Sequence, residues 1–268
     1  MGTAPVEVRF DRTNLVPFGI DLTSVESLDM NGGDGNDQIS AEGLPSGVIR
    51  LTLNGGLADD DTLTGSSGVD ALNGGDGNDT VDGNPGNDSI TLGIGNDTNT
   101  WNNGDNTDTV SGDGGTDTQI VNGASAGDQF EIRSSGGATR GAANALFRRT
   151  NLVPFDILLS DMDNLAVNGL DGVDAFSTEG IAGISQVLDG GSPATFPGDA
   201  LEVLGFAGDL ASTPVVTLAG SAPIAHANFE FAPAVAGIPR SIPTLDRLGL
   251  ILLALAMMGV TARALMRR

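Results

Sequence analysis

The chain has 268 residues with 35 acidic against 12 basic side chains, a formal charge of −23, and every base is an arginine. Arg50 is the only base between Asp29 and Asp117, so that stretch repels nucleic acid and favours bound cations. Aromatics are 4% and Tyr and Cys are absent, which excludes a thick globular core and disulfides as stabilisers, but not the thin Ile/Leu/Val file of a solenoid.

Met1 to Val8 shows neither a basic n-region nor an apolar h-region. The reading is that the start lies inside a longer frame or belongs to a truncated copy. The segment Phe10 to Gly43 then recurs at Phe147 to Gly180, with a constant offset of 137 and no gap. Arg12-Thr13-Asn14-Leu15-Val16-Pro17-Phe18 returns as Arg149-Thr150-Asn151-Leu152-Val153-Pro154-Phe155. These strings read as structural lead-ins that seal the open end of a coil, in preference to a ligand site.

Five aspartates follow at nine-residue steps, Asp61, Asp70, Asp79, Asp88 and Asp97. The clearest copy is Gly74-Gly75-Asp76-Gly77-Asn78-Asp79-Thr80-Val81-Asp82, and Gly32-Gly33-Asp34-Gly35-Asn36-Asp37-Gln38-Ile39-Ser40 matches it. Both fit the nonapeptide G-G-x-G-x-D-x-U-x, with U large and apolar. Glycines allow the tight turn. Triplets such as Thr80-Val81-Asp82 alternate polar and apolar, as a short strand with one side chain inward does. Two nonamers make one revolution, so Asp61, Asp79 and Asp97 line one edge and Asp70 and Asp88 the other. Carboxylates about 4 Å apart repel by roughly 1 kcal/mol in water and about fourfold more at a dielectric of 20. Cations between the turns would relieve this. Oxygen ligands on a flexible loop suit Ca²⁺ better than Mg²⁺, and soft metals lack ligands in a chain with one His, His226, and no Cys. A disordered acidic linker is the competing reading, against which stand the in-phase apolar residues Leu63, Leu72, Val81 and Ile90.

The repeats resemble the RTX, or haemolysin-type, calcium-binding repeats, whose fold is a parallel β-roll with Ca²⁺ shared between stacked turns. The ligands this resemblance implies are Asp34, Asp37, Asp61, Asp70, Asp76, Asp79, Asp88, Asp97, Asp108 and Asp117, with carbonyls from Gly74, Gly75 and Gly77. The pattern loosens at both ends. Gly55 to Leu63 carries an extra residue before Asp61, and Gly65 to Asp70 lacks the second glycine. Beyond Asp97 the inward positions hold Asn99 and Gln119, and Asp108 comes eleven residues after Asp97, so the roll is expected to fray after Asp97.

In the second copy only Gly169 to Ser177 keeps a recognisable nonamer, with Asp199-Ala200-Leu201-Glu202 echoing Asp61-Thr62-Leu63-Thr64. Val121, Phe130, Ile132, Val215, Val216 and Leu218 suggest further strands between Gly and Pro breakers. Gly123-Ala124-Ser125-Ala126-Gly127 satisfies G-x-S-x-G and His226 follows it. The strand–turn–helix elbow and α/β framework such a nucleophile needs are not visible, so no enzyme is expected. Asp59-Asp60-Asp61 reads as acidic turn residues, not a glycosidase pair.

Ala232 to Ile242 is a Pro/Ala linker. Ile242-Pro243-Thr244-Leu245-Asp246-Arg247-Leu248-Gly249 precedes fifteen uncharged residues, Leu248 to Ala262, and then Arg263, Arg267 and Arg268. A thin-membrane helix with its C-terminus in the cytoplasm is expected. Motif, apolar run and basic end resemble the IPTL-type C-terminal sorting signal of Gram-negative bacteria. The matching residues are Ile242, Pro243, Thr244, Leu245 and Gly249. The resemblance implies an exosortase as processing partner and the inner membrane as first anchor.

The expected architecture is all-β: a parallel β-roll or β-helix solenoid with flanking strands and one C-terminal hydrophobic helix. Its parts are a first module over 1–145 with the roll at 31–123, a degenerate copy over 146–231, a linker at 232–241 and the sorting segment at 242–268. The expected function is calcium binding, with a structural or adhesive role outside a Gram-negative cell. A fragment of a secreted calcium-dependent hydrolase is the alternative, and a remnant without function a third reading.

Overall fold

In the computed structural model the described residues are 7–12, 18–135, 145–192, 198–206, 210 and 215–229, with side chains described from residue 22 onward. The expected linker, sorting motif and C-terminal helix lie outside them. Among the described residues no helix is long and apolar enough to cross a membrane.

The chain coils into a parallel β-solenoid of about eight turns. Each turn places one strand in each of two sheets, and successive turns pair in parallel. The first five turns are β3 (Ser27–Gly33) with β4 (Gln38–Ser40), β5 (Arg50–Gly56) with β6 (Thr62–Thr64), β7 (Asp70–Asp76) with β8 (Thr80–Asp82), β9 (Ser89–Gly95) with β10 (Thr98–Trp101), and β11 (Asp108–Gly115) with β12 (Thr118–Asn122). Register follows the nonamer: Leu63 pairs with Val81, and Leu72 with Ile90. Leu51, Leu53, Leu63, Val81 and Leu92 are fully buried, a thin file with no second layer.

The coil does not fray after Asp97. Thr98 pairs with Thr118, and Ser89 with Thr109. These turns take twenty residues where Thr80 to Thr98 takes eighteen. The two extra residues fall between Thr98 and Thr109, where the Asn102 N–H and the Asp105 carboxylate close a turn. The inward polar residues bond to each other, Asn99 Nδ2 donating to Gln119 Oε1 at 2.8 Å, and Gln119 Nε2 donates to the Ile120 carbonyl at 2.9 Å, which leaves Asn99 Oδ1 as the one unmet atom of the two amides. The bonded amides offset most of the cost of burying polar groups in the file.

The nonamer does not announce the next feature. One sheet takes an antiparallel detour through β13 (Gln129–Ser134), β14 (Ala145–Arg149) and β15 (Phe155–Ser160). β15 lies parallel to β11, and β13 parallel to β17 (Ala175–Thr178). The opposite sheet passes directly from β12 to β16 (Asn164–Asn168). One sheet thus gains two strands at this point, and large rings fill the space. Phe155, Phe147, Phe130 and Phe176 contact in succession at centroid distances of 5.8, 5.2 and 5.1 Å, and Trp101 stacks on Phe155 at 3.9 Å. The coil resumes with β18 (Ser185–Asp189), β19 (Ala200–Val203) and β21 (Ile224–Ala227). An antiparallel β20 (Val215–Val216) closes that last sheet on β21.

The duplication is structural as well. β1 (Glu7–Arg12) and β2 (Phe18–Thr23) form a hairpin pairing Phe10 with Ile20, and β14–β15 pair Phe147 with Ile157, the same register displaced by 137. β1 and β2 make a two-stranded sheet of their own, whereas their counterparts are built into the solenoid.

Candidate metal centre

Each turn aspartate ends a Gly-rich loop just before a strand, so stacking the turns stacks the aspartates. Along one edge a main-chain N–H donates to the Oδ1 of the aspartate one turn on: Asp37 to Asp61 at 2.7 Å, Asp61 to Asp79 at 2.8 Å, Asp79 to Asp97 at 2.7 Å and Asp97 to Asp117 at 3.0 Å. On the other edge Asp70 donates to Asp88 at 2.9 Å and Asp88 to Asp108 at 2.8 Å. The two-edge parity read from the spacing therefore holds. Where the acceptor is ionised such a bond is worth about 1.5–3 kcal/mol, and these bonds use only one oxygen of each carboxylate.

The other oxygen separates two kinds of site. Oδ2 of Asp37, Asp79, Asp88, Asp97, Asp117 and Asp174 is buried without a hydrogen-bond partner. Most of these oxygens face a glycine five residues earlier. A Cβ on Gly74 would stand 2.5 Å from Asp79 Oδ2, and one on Gly83, Gly112 or Gly169 would stand 2.6 Å from that of Asp88, Asp117 or Asp174. Asp70 and Asp128 differ. Their Oδ2 accepts a loop N–H, from Ser66 at 2.6 Å and from Ala124 at 2.7 Å. Those loops, Gly65-Ser66-Ser67 and Gly123-Ala124-Ser125, lack the second glycine of the nonapeptide, as does Gly83-Asn84-Pro85 before the uncapped Asp88.

Burial is the main reason the ladder carboxyls hold their protons tightly, and neighbouring aspartates add to it. Main-chain hydrogen bonds offset this in part. Asp79 and Asp117 are pushed up to about 6, Asp108 and Asp174 to about 7, and Asp88 to about 8. Asp61, Asp70 and Asp97 are raised for the same cause. Asp128 has a built-in cation instead: Arg149 Nη1 lies 3.3 Å from its Oδ1. Arg149 also donates to Asn103 Oδ1 at 2.7 Å and lies 4.8 Å above the Phe155 ring.

A hard cation fits this chemistry. It would complete the bare Oδ2 atoms and cancel charge that hydrogen bonding leaves uncancelled. Among the described residues no three acidic or histidine side chains converge as a metal cage, so main-chain carbonyls would supply the remaining oxygens. They are close at hand. Gly75 has φ of 118° and Gly77 of 135°, and a Cβ on either would collide with the carbonyl oxygen of Gly56 or Asp59 in the preceding turn. Loop carbonyls thus stack from turn to turn as the carboxylates do.

Two of the expected ligands stand apart from the ladder. Asp34 is exposed, and Asp76 is half-buried at the end of β7, its carbonyl accepting the Asp59 N–H at 3.1 Å. The ladder also holds residues not singled out as ligands from the sequence. Asp128 donates its N–H to Asp174 at 2.6 Å and Asp174 to Asp199 at 2.8 Å. A glycine five residues ahead, Gly123 or Gly169, is the signal that marks Asp128 and Asp174. Ser125 is exposed on the turn that caps Asp128, not on an elbow between strand and helix.

A family model, the RTX calcium-binding nonapeptide repeat in four copies, matches residues 29–43, 52–81 and 64–98. These turns are calcium-binding repeats of the RTX type. The RTX matches end at residue 98 while the stacked aspartates continue to Asp117. No curated protein and no solved structure matches the chain.

Proposed function

We propose that this chain is a non-catalytic calcium-binding solenoid that folds when Ca²⁺ enters the ladder, and that it acts structurally or adhesively outside the cell. The observation that carries this reading is the row of buried, unpartnered Oδ2 atoms facing glycine cradles. Asp37, Asp79, Asp88, Asp97, Asp117 and Asp174, with carbonyls of their loops, would hold the ions. Bound calcium supplies positive charge between turns that, from Asp61 to Asp117, contain no basic residue. In a low-calcium cytoplasm the ladder would oppose its own stacking, and outside the cell it would close, so folding and metal binding would occur together.

Titrating Ca²⁺ into the full chain while following circular dichroism tests this. A cooperative gain of strand signal is expected, and an unchanged spectrum at millimolar calcium refutes it. Display outside the cell rests on the order of sorting motif, apolar run and arginines. Protease added to intact producing cells should degrade the protein, and full protection would remove the display reading. Absence of catalysis is supported by the exposed, cap-forming position of Ser125. Esterase activity that disappeared in Ser125→Ala would overturn it.

A further inference from the structure

The internal duplication lets the molecule serve as its own control, because one surface occurs twice and, among the described residues, is covered once. β17 and β4 are counterparts at the offset of 137, and so are β16 and β3. β17 lies inside its sheet between β13 and β19, whereas β4 and β3 are the terminal strands of theirs. Leu165 and Val167 on β16 are fully buried against Gln119 and Val121 of β12. Their counterparts Leu28 and Met30 are only half-buried.

What covers the second copy is known bond by bond. The Ala175 N–H donates to the Asp128 carbonyl at 2.8 Å, and the Asp128 N–H to Asp174 Oδ1 at 2.6 Å. Arg133 donates to the carbonyl of Ser177 at 3.0 Å and to its Oγ at 3.1 Å, and the Ser134 N–H donates to the Glu179 carboxylate. The accepting residues recur in the first copy as Asp37 for Asp174, Ser40 for Ser177 and Glu42 for Glu179. No described residue fills the places of Asp128, Arg133 and Ser134 there. The Glu42 N–H turns back on Ser40 Oγ at 3.3 Å, where Glu179 reaches Ile132. At the far end antiparallel β20 lies along β21 in one sheet, while β19 is the terminal strand of the other.

We propose that the β4 edge is a strand-accepting site, and that its occupant is an extended segment of another polypeptide with the chemistry of β13. That chemistry is an aspartate, then an aromatic and an aliphatic residue at alternate positions, then an arginine, as in Asp128-Gln129-Phe130-Glu131-Ile132-Arg133. The segment lies parallel to β4. Its aspartate joins the ladder through Asp37, its apolar pair covers the open end of the core, and its arginine reaches Ser40. Main-chain bonds supply affinity, and the alternating side chains supply selection. An unpaired terminal strand is a template for such addition.

The probe is a labelled, end-capped peptide with the sequence of residues 126–136, titrated against the full chain in saturating calcium and read by fluorescence anisotropy. Saturable binding is expected, with none for the same peptide carrying Phe130→Asp and Ile132→Asp. In the full chain, Gln38→Pro removes the N–H that occupies the place of Ala175's. The bond to β6 survives, because Thr62 takes the Asp37 carbonyl at 2.8 Å. Proline is tolerated at the first residue of an edge strand, so this variant should fold with the parent's calcium titration and bind the peptide at least about tenfold more weakly. Glu42→Lys, on an exposed side chain, should weaken binding without altering the fold. Absence of saturable binding up to millimolar peptide overturns the proposal, as does equal binding by Gln38→Pro. Unfolding of Gln38→Pro also overturns it, because the edge would then already be paired within the chain.

Discussion

Folded in saturating calcium, the Asp88→Asn chain should hold roughly one calcium ion fewer than the parent, while Asp70→Asn should hold the same number and melt lower. The two residues are neighbours on one edge, 2.9 Å apart through the Asp70 N–H and Asp88 Oδ1. Composition and position would treat them alike, so the difference lies in the second oxygen. Asp88 Oδ2 has no partner. Replacing it with an amide keeps the acceptor for the Asp70 N–H and removes a charged ligand. The calcium-free fold is little affected at pH 7, because burial already holds Asp88 at about 8 and largely protonated. Asp70 uses both oxygens on Ser66, at 2.6 Å from the N–H and 3.0 Å from the hydroxyl. Its amide oxygen would still accept the Ser66 N–H and its NH2 would donate to the Ser66 hydroxyl, but both bonds lose their charge assistance, at a cost of about 1 kcal/mol whatever the calcium level. Native mass spectrometry counts the ions and calorimetry reads the melting. Equal loss of calcium in both variants would show that the unpartnered oxygen does not define the site.

That contrast marks where sequence reading reaches its limit. A nonapeptide announces the coil because each of its positions has a local cause. Glycine is required where a turn has positive φ and a neighbouring carbonyl at contact, and an apolar residue where the side chain faces a file one residue thick. Parity of the aspartates follows from two nonamers per revolution, and the hydrogen-bonded ladder reproduces it. The cap on Asp70 is less legible, since Ser66 reads as a missing glycine while its N–H is a substitute partner.

The expected fraying after Asp97 failed for a related reason. Asn99 and Gln119 each look wrong alone at an inward position, yet they bond to each other twenty residues apart. A pairwise rescue across turns leaves no trace in a repeat pattern. The detour through β13, β14 and β15 is also tertiary in origin. Its strands are visible singly, but their antiparallel order depends on β15 finding β11 and β13 finding β17, with Phe130, Phe147 and Phe155 filling the wider sheet. The hairpin register was the recoverable part, through the repeated Arg-Thr-Asn-Leu-Val-Pro-Phe string.

Acid should strengthen the calcium-free fold, the reverse of ordinary acid denaturation. An unfolded aspartate titrates near 3.9, whereas Asp79 and Asp117 stand at about 6, Asp108 and Asp174 at about 7 and Asp88 at about 8 in the coil. A carboxyl whose folded value is raised binds its proton more tightly when folded. Its contribution is complete below the unfolded value and disappears as pH rises through the folded one. The window here is from about pH 4 to pH 8, with the steepest loss between about 4 and 6, where all five carboxyls keep their protons in the coil and lose them in the unfolded chain. Calcium reverses the sign, since it binds the ionised form and so competes with protons. Without calcium, strand signal in circular dichroism should grow as pH falls from 8 to 5. With saturating calcium it should stay flat over the same range, and the calcium midpoint should rise as the pH falls. A calcium-free chain that lost structure on acidification would mean that the buried carboxyls are paired with fixed positive charge. Asp128, held by Arg149, is a ladder aspartate for which the structure provides such a charge.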